Sequence, residues 1–195
     1  SLQVYCQYGA QSGIYLNQSA VINLSPGTPG VLPLSSLLPD TQYYYRLAYL
    51  KPGATNYCTG DEHTFHTQRG IGESFTFDIE ADPHWRDSNA SISPELWQVE
   101  LDNILADQPD FLIELGDTFM TEKHSEPLSA TLRTAPDAAT VSARYAYERS
   151  NFGIVSHSVP LFLVNGNHEQ AARYLLNGTP DNVAVWAQKA RNLYY

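Results

Sequence analysis

Basic residues are what this sequence has least of. Eleven Lys and Arg stand against 21 Asp and Glu, for a formal net charge of −10. Binding to nucleic acid regardless of sequence needs basic patches that displace phosphate counterions, so that class is set aside on charge. The same deficit raises a condition for any phosphorylated substrate: positive charge must be supplied locally. Long apolar runs are also missing, and none approaches the roughly 20 residues of a membrane-spanning helix. Cysteine is limited to Cys6 and Cys58, which leaves a disulfide in an oxidising compartment and two separate buried thiols equally open. The first residues lack the charged-then-apolar pattern of a leader peptide, so a mature or trimmed start is expected.

What is present is a globular composition. Of 195 residues, 43% are apolar and 12% aromatic, enough for one generous domain or two small ones with a real core. Few charges and thirteen tyrosines give a lean towards a secreted or periplasmic protein. Four Asn-x-Ser/Thr triplets, beginning at Asn17, Asn23, Asn89 and Asn177, add little, because such triplets arise by chance.

Residues 1–69 read as all-β. "LQVYCQYG" alternates and ends in Gly, "AVINL" stops at Ser25-Pro26-Gly27, and "VLPLSSLLPDTQYYYRLAYL" is expected to join two strands through Pro39-Asp40. "EHTFHT" is expected as the last strand. His63 and His66 are three apart, do not share a strand face, and read as ordinary strand residues. Leu37, Pro39, Thr41 and Tyr43 resemble the E–F corner of fibronectin type III domains, where a Tyr opening strand F hydrogen-bonds back over the turn. On that resemblance "LQVYCQYG" stands as the third strand of a sandwich, and the natural chain is expected to start further upstream.

After residue 74 the pattern changes to α/β. "FTFDIEA" reads as a strand, followed by a helix with Ser93 as N-cap, Pro94 at its first position and an apolar face of Trp97, Leu101, Ile104 and Leu105. "PDFLIELGD" is nearly all apolar, as strands covered on both faces of a parallel sheet tend to be. A helix over about 138–152 leads to a third strand, "PLFLVNG". Strand–helix–strand–helix–strand predicts a parallel sheet with right-handed crossovers, and ligands of such sheets bind beyond the carboxyl ends of the strands.

Those three ends read "ADPHWRD", "LGDTF" and "NGNHE". Each apolar run stops at Gly or Ala and is followed at once by metal-ligand chemistry: Asp82 and His84, then Asp117, then Asn167 and His168. A lone Asp after a strand is usually a turn-former or helix cap. Three such ends at one sheet edge, separated by enough chain for a βαβ unit, carry more weight. Carboxylate, imidazole and amide oxygen suit Zn, Mn or Fe better than an all-oxygen Mg or Ca site. A metal pair would also meet the charge condition, giving an acidic protein a positive floor for phosphate and a hydroxide nucleophile near neutral pH.

D-x-H, G-D and G-N-H-E in this order, each closing a strand, resemble the calcineurin-like metallophosphoesterase superfamily. A fibronectin-like domain placed just before them is similar to the arrangement of purple acid phosphatases and their bacterial relatives. The resemblance implies an α/β metallophosphoesterase half-domain over 70–195, preceded by an incomplete fibronectin type III-like β-sandwich over 1–69. It implies a phosphate-ester substrate and two divalent or trivalent metal ions, Fe, Zn or Mn. Asp82 and His84 would bind the first metal, Asp117 would bridge, and Asn167 would bind the second. His168 would contact the phosphate and assist the leaving oxygen, with Glu169 behind these ligands at most.

Two departures accompany the resemblance. Purple acid phosphatases carry an iron-binding Tyr three residues after the second-motif Asp; Met120 stands there, and no purple protein is expected. The superfamily also completes its site with histidines after G-N-H-E, and none follows His168; His124 and His157 precede the third strand. The remaining ligands are therefore expected downstream of Tyr195. Arg86 is expected in a surface ion pair with Asp87 or a neighbour rather than on substrate phosphate, His124 as a solvated loop histidine rather than a substrate contact, and Trp85 is either a pocket wall or a packing residue. The competing function is a surface or binding protein whose metallophosphoesterase domain no longer catalyses. The sequence does not address oligomeric state.

Overall fold

The structure is a computed structural model that describes residues 1–85, 93–118, 137–169 and 176–195. Arg86, Asn89, Met120, His124 and the long polar stretch around them lie outside the described residues. Two compact units divide the chain, Ser1–Phe75 and Thr76–Tyr195.

The first unit is antiparallel β. Its strands are β1 (Leu2–Gly9), β2 (Asn17–Gln18), β3 (Ile22–Leu24), β4 (Gln42–Leu50), β5 (Cys58–Thr59) and β6 (His63–His66). They join in one sheet in the order β2-β1-β4-β5, with β3 also on β1 and β6 also on β4. The long central pair runs in register from Gln3↔Leu50 to Gly9↔Tyr44. Alternation in β1 sends Val4, Cys6 and Tyr8 inward. Cys6, Tyr8 and Tyr43 form the core there, with Leu32, Leu34, Leu37 and Phe65 packed on it. The strand expected before Pro39 does not form. Leu32 and Leu34 reach the core from a stretch without regular structure, and Pro33 between them has no N–H to give a ladder.

At the following corner, the Tyr43 hydroxyl accepts the Leu38 N–H at 2.9 Å, the back-bond expected of that tyrosine. His63 lies against the Tyr45 ring, with centroids 5.7 Å apart, and His66 Nε2 lies 3.6 Å from Asp40. Both cysteines are free thiols. Cys6 is buried, and burial pushes its thiol up to about 11. Cys58 is exposed, against the alternative of two buried thiols, because it sits on a two-residue strand at the sheet margin.

The second unit holds a parallel sheet of β7 (Phe77–Glu80), β8 (Phe111–Glu114) and β9 (Leu161–Leu163), in that order. Helix α1 spans Pro94–Asp107, and Ser93 caps it by accepting the Leu96 N–H. Helix α2 spans Ala138–Ser156, capped by Asp137, whose carboxylate accepts the Thr140 N–H. Helix α3, Val183–Tyr194, was not anticipated from the sequence. Its buried Val183, Ala184, Ala187, Ala190 and Tyr194 recur at three- and four-residue steps and pack on Val141 and Tyr145 of α2.

One main core cluster joins Trp97, Leu101 and Ile104 of α1, Phe152 and Val155 of α2, and Leu112 of β8, with Trp85 inside it. Trp85 is 2% exposed and stacks on Tyr147, which makes it a packing residue. The expectation of a sheet covered on both faces fails among the described residues. Phe77, Ile79 and Phe162 are 43%, 58% and 57% exposed, and a ladder of rings runs Phe77–Phe111–Phe162 across that face. Right-handed crossovers that advance a sheet in one direction lay their helices on the same side, so α1 and α2 leave the other face apolar and open.

Candidate metal centre

The strand ladder does not stop where the strands end. Leu115 N–H donates to Glu80 O at 2.9 Å, Asp82 N–H to Gly116 O at 3.1 Å, and His84 N–H to Asp117 O at 3.1 Å. The loops after β7 and β8 are thus laced together by backbone bonds, which brings their side chains to one place. Asp82, His84 and Asp117 each offer a ligand atom, and those atoms all lie within 4.8 Å of one another.

All three residues have left-handed backbones: φ is 55° at Asp82, 45° at His84 and 56° at Asp117. An L-residue with a Cβ pays roughly 1–2 kcal/mol for that conformation. Such strain gathers where the surroundings hold a functional group in place. Here the surroundings are explicit. Gly116, at φ 100°, and Gly166 lie so close that a Cβ on Gly116 would meet the Gly166 Cα at 2.6 Å. A Cβ on Gly166 would meet the Asp117 carboxyl carbon at 2.7 Å.

The third loop is held to the second by hydrogen bonds. The His168 N–H donates to Asp117 Oδ1 at 2.9 Å, and the His168 ring stands edge-on to the His84 ring with centroids 5.4 Å apart. Asn167 lies on the exposed side of this turn, between Gly166 and His168. The geometry therefore gathers Asp82, His84 and Asp117 into one cluster and brings His168 against it, while Asn167 is adjacent in the chain and exposed.

Ligands about 2.1 Å from a single ion stand no more than about 4.2 Å apart. A separation limit of 4.8 Å is within about 0.6 Å of that span, so small side-chain rotations suffice for these three residues to share an ion. Asp82 Oδ1 and His84 Nε2 are already 3.6 Å apart. Two carboxylates and an imidazole fit Zn, Mn or Fe.

Sequence reasoning placed Glu169 behind the ligands but passed over the buried carboxylates Glu80, Glu114 and Glu148. Glu80 and Glu114 end β7 and β8, are register partners, and are 3% and 0% exposed. Burial pushes Glu80 up to about 7, against a hydrogen bond from Trp97, and pushes Glu114 up to about 8, against a hydrogen bond with Thr118. Glu148 of α2 is held well above the ordinary carboxylate range, again chiefly by burial. Glu169 is 1% exposed and accepts three backbone N–H groups of the two loops. The available signal was a lone Glu closing each apolar run, "FDIE" and "FLIE", on the face that turns inward.

A cavity of about 630 Å³ between α2, β9 and α3, lined among others by Arg149, Phe152, Leu161 and Tyr195, includes none of the candidate ligands. No helix among the described residues is long and apolar enough to cross a membrane.

No family model and no curated protein sequence matches the chain. Among solved structures it is similar to purple acid phosphatase PPD1 isolated from yellow lupin (Lupinus luteus) seeds, with a TM-score of 0.64 and 14% identity. The match covers 100% of this chain and 35% of that one. At such identity the likeness is one of fold: a mixed α/β arrangement compatible with a purple acid phosphatase-like protein, with an Asp-His-Asp group able to hold a metal.

Proposed function

We propose that this chain is part of a metal-dependent phosphoesterase: the first half of a metallophosphoesterase catalytic domain behind an incomplete fibronectin type III-like unit. The observation that carries the reading is the convergence of Asp82, His84 and Asp117, all with positive φ, at the carboxyl edge of a parallel sheet. The likeness of the whole chain to a purple acid phosphatase supports it. The Tyr43 back-bond to Leu38 supports the fibronectin-like reading of the first unit.

In this reading Asp82, His84 and Asp117 would hold a first ion, and Asn167 would join Asp117 in holding a second. Bound metal supplies the Lewis acidity and local positive charge that a phosphate ester needs in a protein of net charge −10. The protein's own part is orientation. The His168 N–H fixes one oxygen of Asp117, and that same bond sets the His168 ring beside the cluster. From there the ring reaches the substrate phosphoryl group and stabilises the departing oxygen with a hydrogen bond.

The test is hydrolysis of an aryl phosphate by the protein that carries this chain. His168→Ala is expected to lower kcat by about 10²-fold or more, the scale of a lost acid–base contact. Asp117→Asn is expected to lower both activity and metal content. Unchanged hydrolysis in both variants would end the assignment.

A further inference from the structure

Glu169 follows the two residues assigned to metal and phosphate, and its carboxylate is taken up by backbone N–H groups. Oε2 accepts the Asp117 N–H at 2.7 Å and the Gly166 N–H at 2.8 Å, while Oε1 accepts the Thr118 N–H at 2.7 Å. Its own carbonyl receives the hydroxyl of Tyr145, a fully buried residue of α2, at 3.0 Å. The residue is thus fastened to the helix layer through its backbone carbonyl and to both loops through its carboxylate. We propose that Glu169 is the positioning residue of the metal centre, holding the Asp117 loop and the Gly166–His168 turn at a fixed separation.

The backbone explains why an acid is needed there. Three successive N–H groups, those of Gly116, Asp117 and Thr118, all donate to carboxylates, as such groups elsewhere receive an external anion. Here internal carboxylates take its place. Glu114 accepts the Gly116 N–H at 3.0 Å, and Glu169 takes the next two. A glutamine at 169 has a single acceptor oxygen and would direct its NH₂ group at one or more of these donors. At least one buried N–H would then lose its partner, and the charge that strengthens the others would be gone.

The consequence falls on ligand geometry. Asp117 is joined to both partners: its N–H to Glu169, and its Oδ1 to the His168 N–H. If the clamp slackens, the Asp117 carboxylate and the His168 ring lose their mutual setting, although neither has been altered. Residues that orient metal ligands typically cost 10–100-fold in metal affinity when changed.

This inference rests on the metal-centre reading above, and one comparison separates the two. Zinc(II) affinity is measured by isothermal titration for wild-type protein, Glu169→Gln and Val155→Ala, a core variant near the C-terminal end of α2 that makes none of the hydrogen bonds of the clamp. Glu169→Gln is expected to bind zinc 10–100-fold more weakly, and Val155→Ala to bind as wild type despite lower stability. Zinc affinity in Glu169→Gln within twofold of wild type overturns the positioning role and leaves the site intact. A wild-type protein that binds no zinc, manganese or iron overturns the site itself. Amide exchange in wild-type protein keeps the role testable if Glu169→Gln does not fold. Protection at Asp117 and Thr118 that deepens when zinc is added supports the clamp; exchange of both at open-loop rates overturns it.

Discussion

Gly116 and Gly166 pack backbone against backbone, with no room between them for a single methyl group. This contact sets how closely the loop bearing Asp117 approaches the turn bearing Asn167 and His168. Gly166→Ala would push a Cβ into the Asp117 amide and carboxylate. It is expected to destabilise the fold by about 1–3 kcal/mol, the usual cost of overpacking, and to weaken metal binding as well. Urea denaturation with a metal titration of the surviving folded protein checks both parts.

Burial of Glu114 implies a dependence of stability on pH. Its folded-state value of about 8 lies above the 4.5 of an ordinary carboxyl, so the folded protein holds that proton more tightly than the unfolded chain. The contribution is complete below about 4.5 and is lost as pH rises through about 8, with a slope of about 1.4 kcal/mol per pH unit for one group. Glu169 and Glu80 face it and raise it further, while Thr118 and the Gly116 N–H oppose them. In metal-free protein, Glu114→Gln is expected to flatten the fall in denaturation midpoint between pH 5 and 8 and to be the more stable form at the upper end. Parallel pH profiles for the two proteins would contradict this.

The hydroxyl of Tyr43 has a defined task in the first unit, and Tyr43→Phe removes it without changing packing. The Leu38 N–H then loses its acceptor, at an expected cost of about 1–2 kcal/mol. A shift in the denaturation midpoint with an unchanged urea dependence is the expected signature.

The open face of the parallel sheet is contiguous and apolar. Such a patch is expected to bind the dye anilinonaphthalene sulfonate in the folded chain. Ile79→Thr combined with Phe162→Thr is expected to reduce that fluorescence severalfold without loss of circular dichroism, since both side chains are more than half exposed.

Much of this architecture was legible in the residues because its signals are local. Ser93 and Pro94 mark the start of α1 by satisfying or removing N–H groups that a helix leaves unpaired, and the cap forms as read. The strand-end motifs pointed to one sheet edge, since parallel strands all present their carboxyl ends there. What the sequence withheld depends on neighbours. An Asp carries no mark of a left-handed backbone; Asp82 and Asp117 adopt it because the loops lace together. The resemblance puts Glu169 behind the ligands at most and says nothing of what it holds, because its three N–H partners come from positions up to 52 residues away. Pro33 could have warned against a strand before Pro39, but the leucines around it alternate as a strand would. The exposed face was misread for a related reason: an apolar strand reports what it can be covered by, and coverage depends on which side the helices take.

The most direct test of the metal-dependent phosphoesterase reading is aryl phosphate hydrolysis followed as metal is returned to chelator-stripped protein carrying this chain. The account predicts no turnover in the stripped protein and a rise that tracks the metal bound, absent in Asp117→Asn. Hydrolysis that persists undiminished without metal, or full metal loading with no turnover, would contradict it.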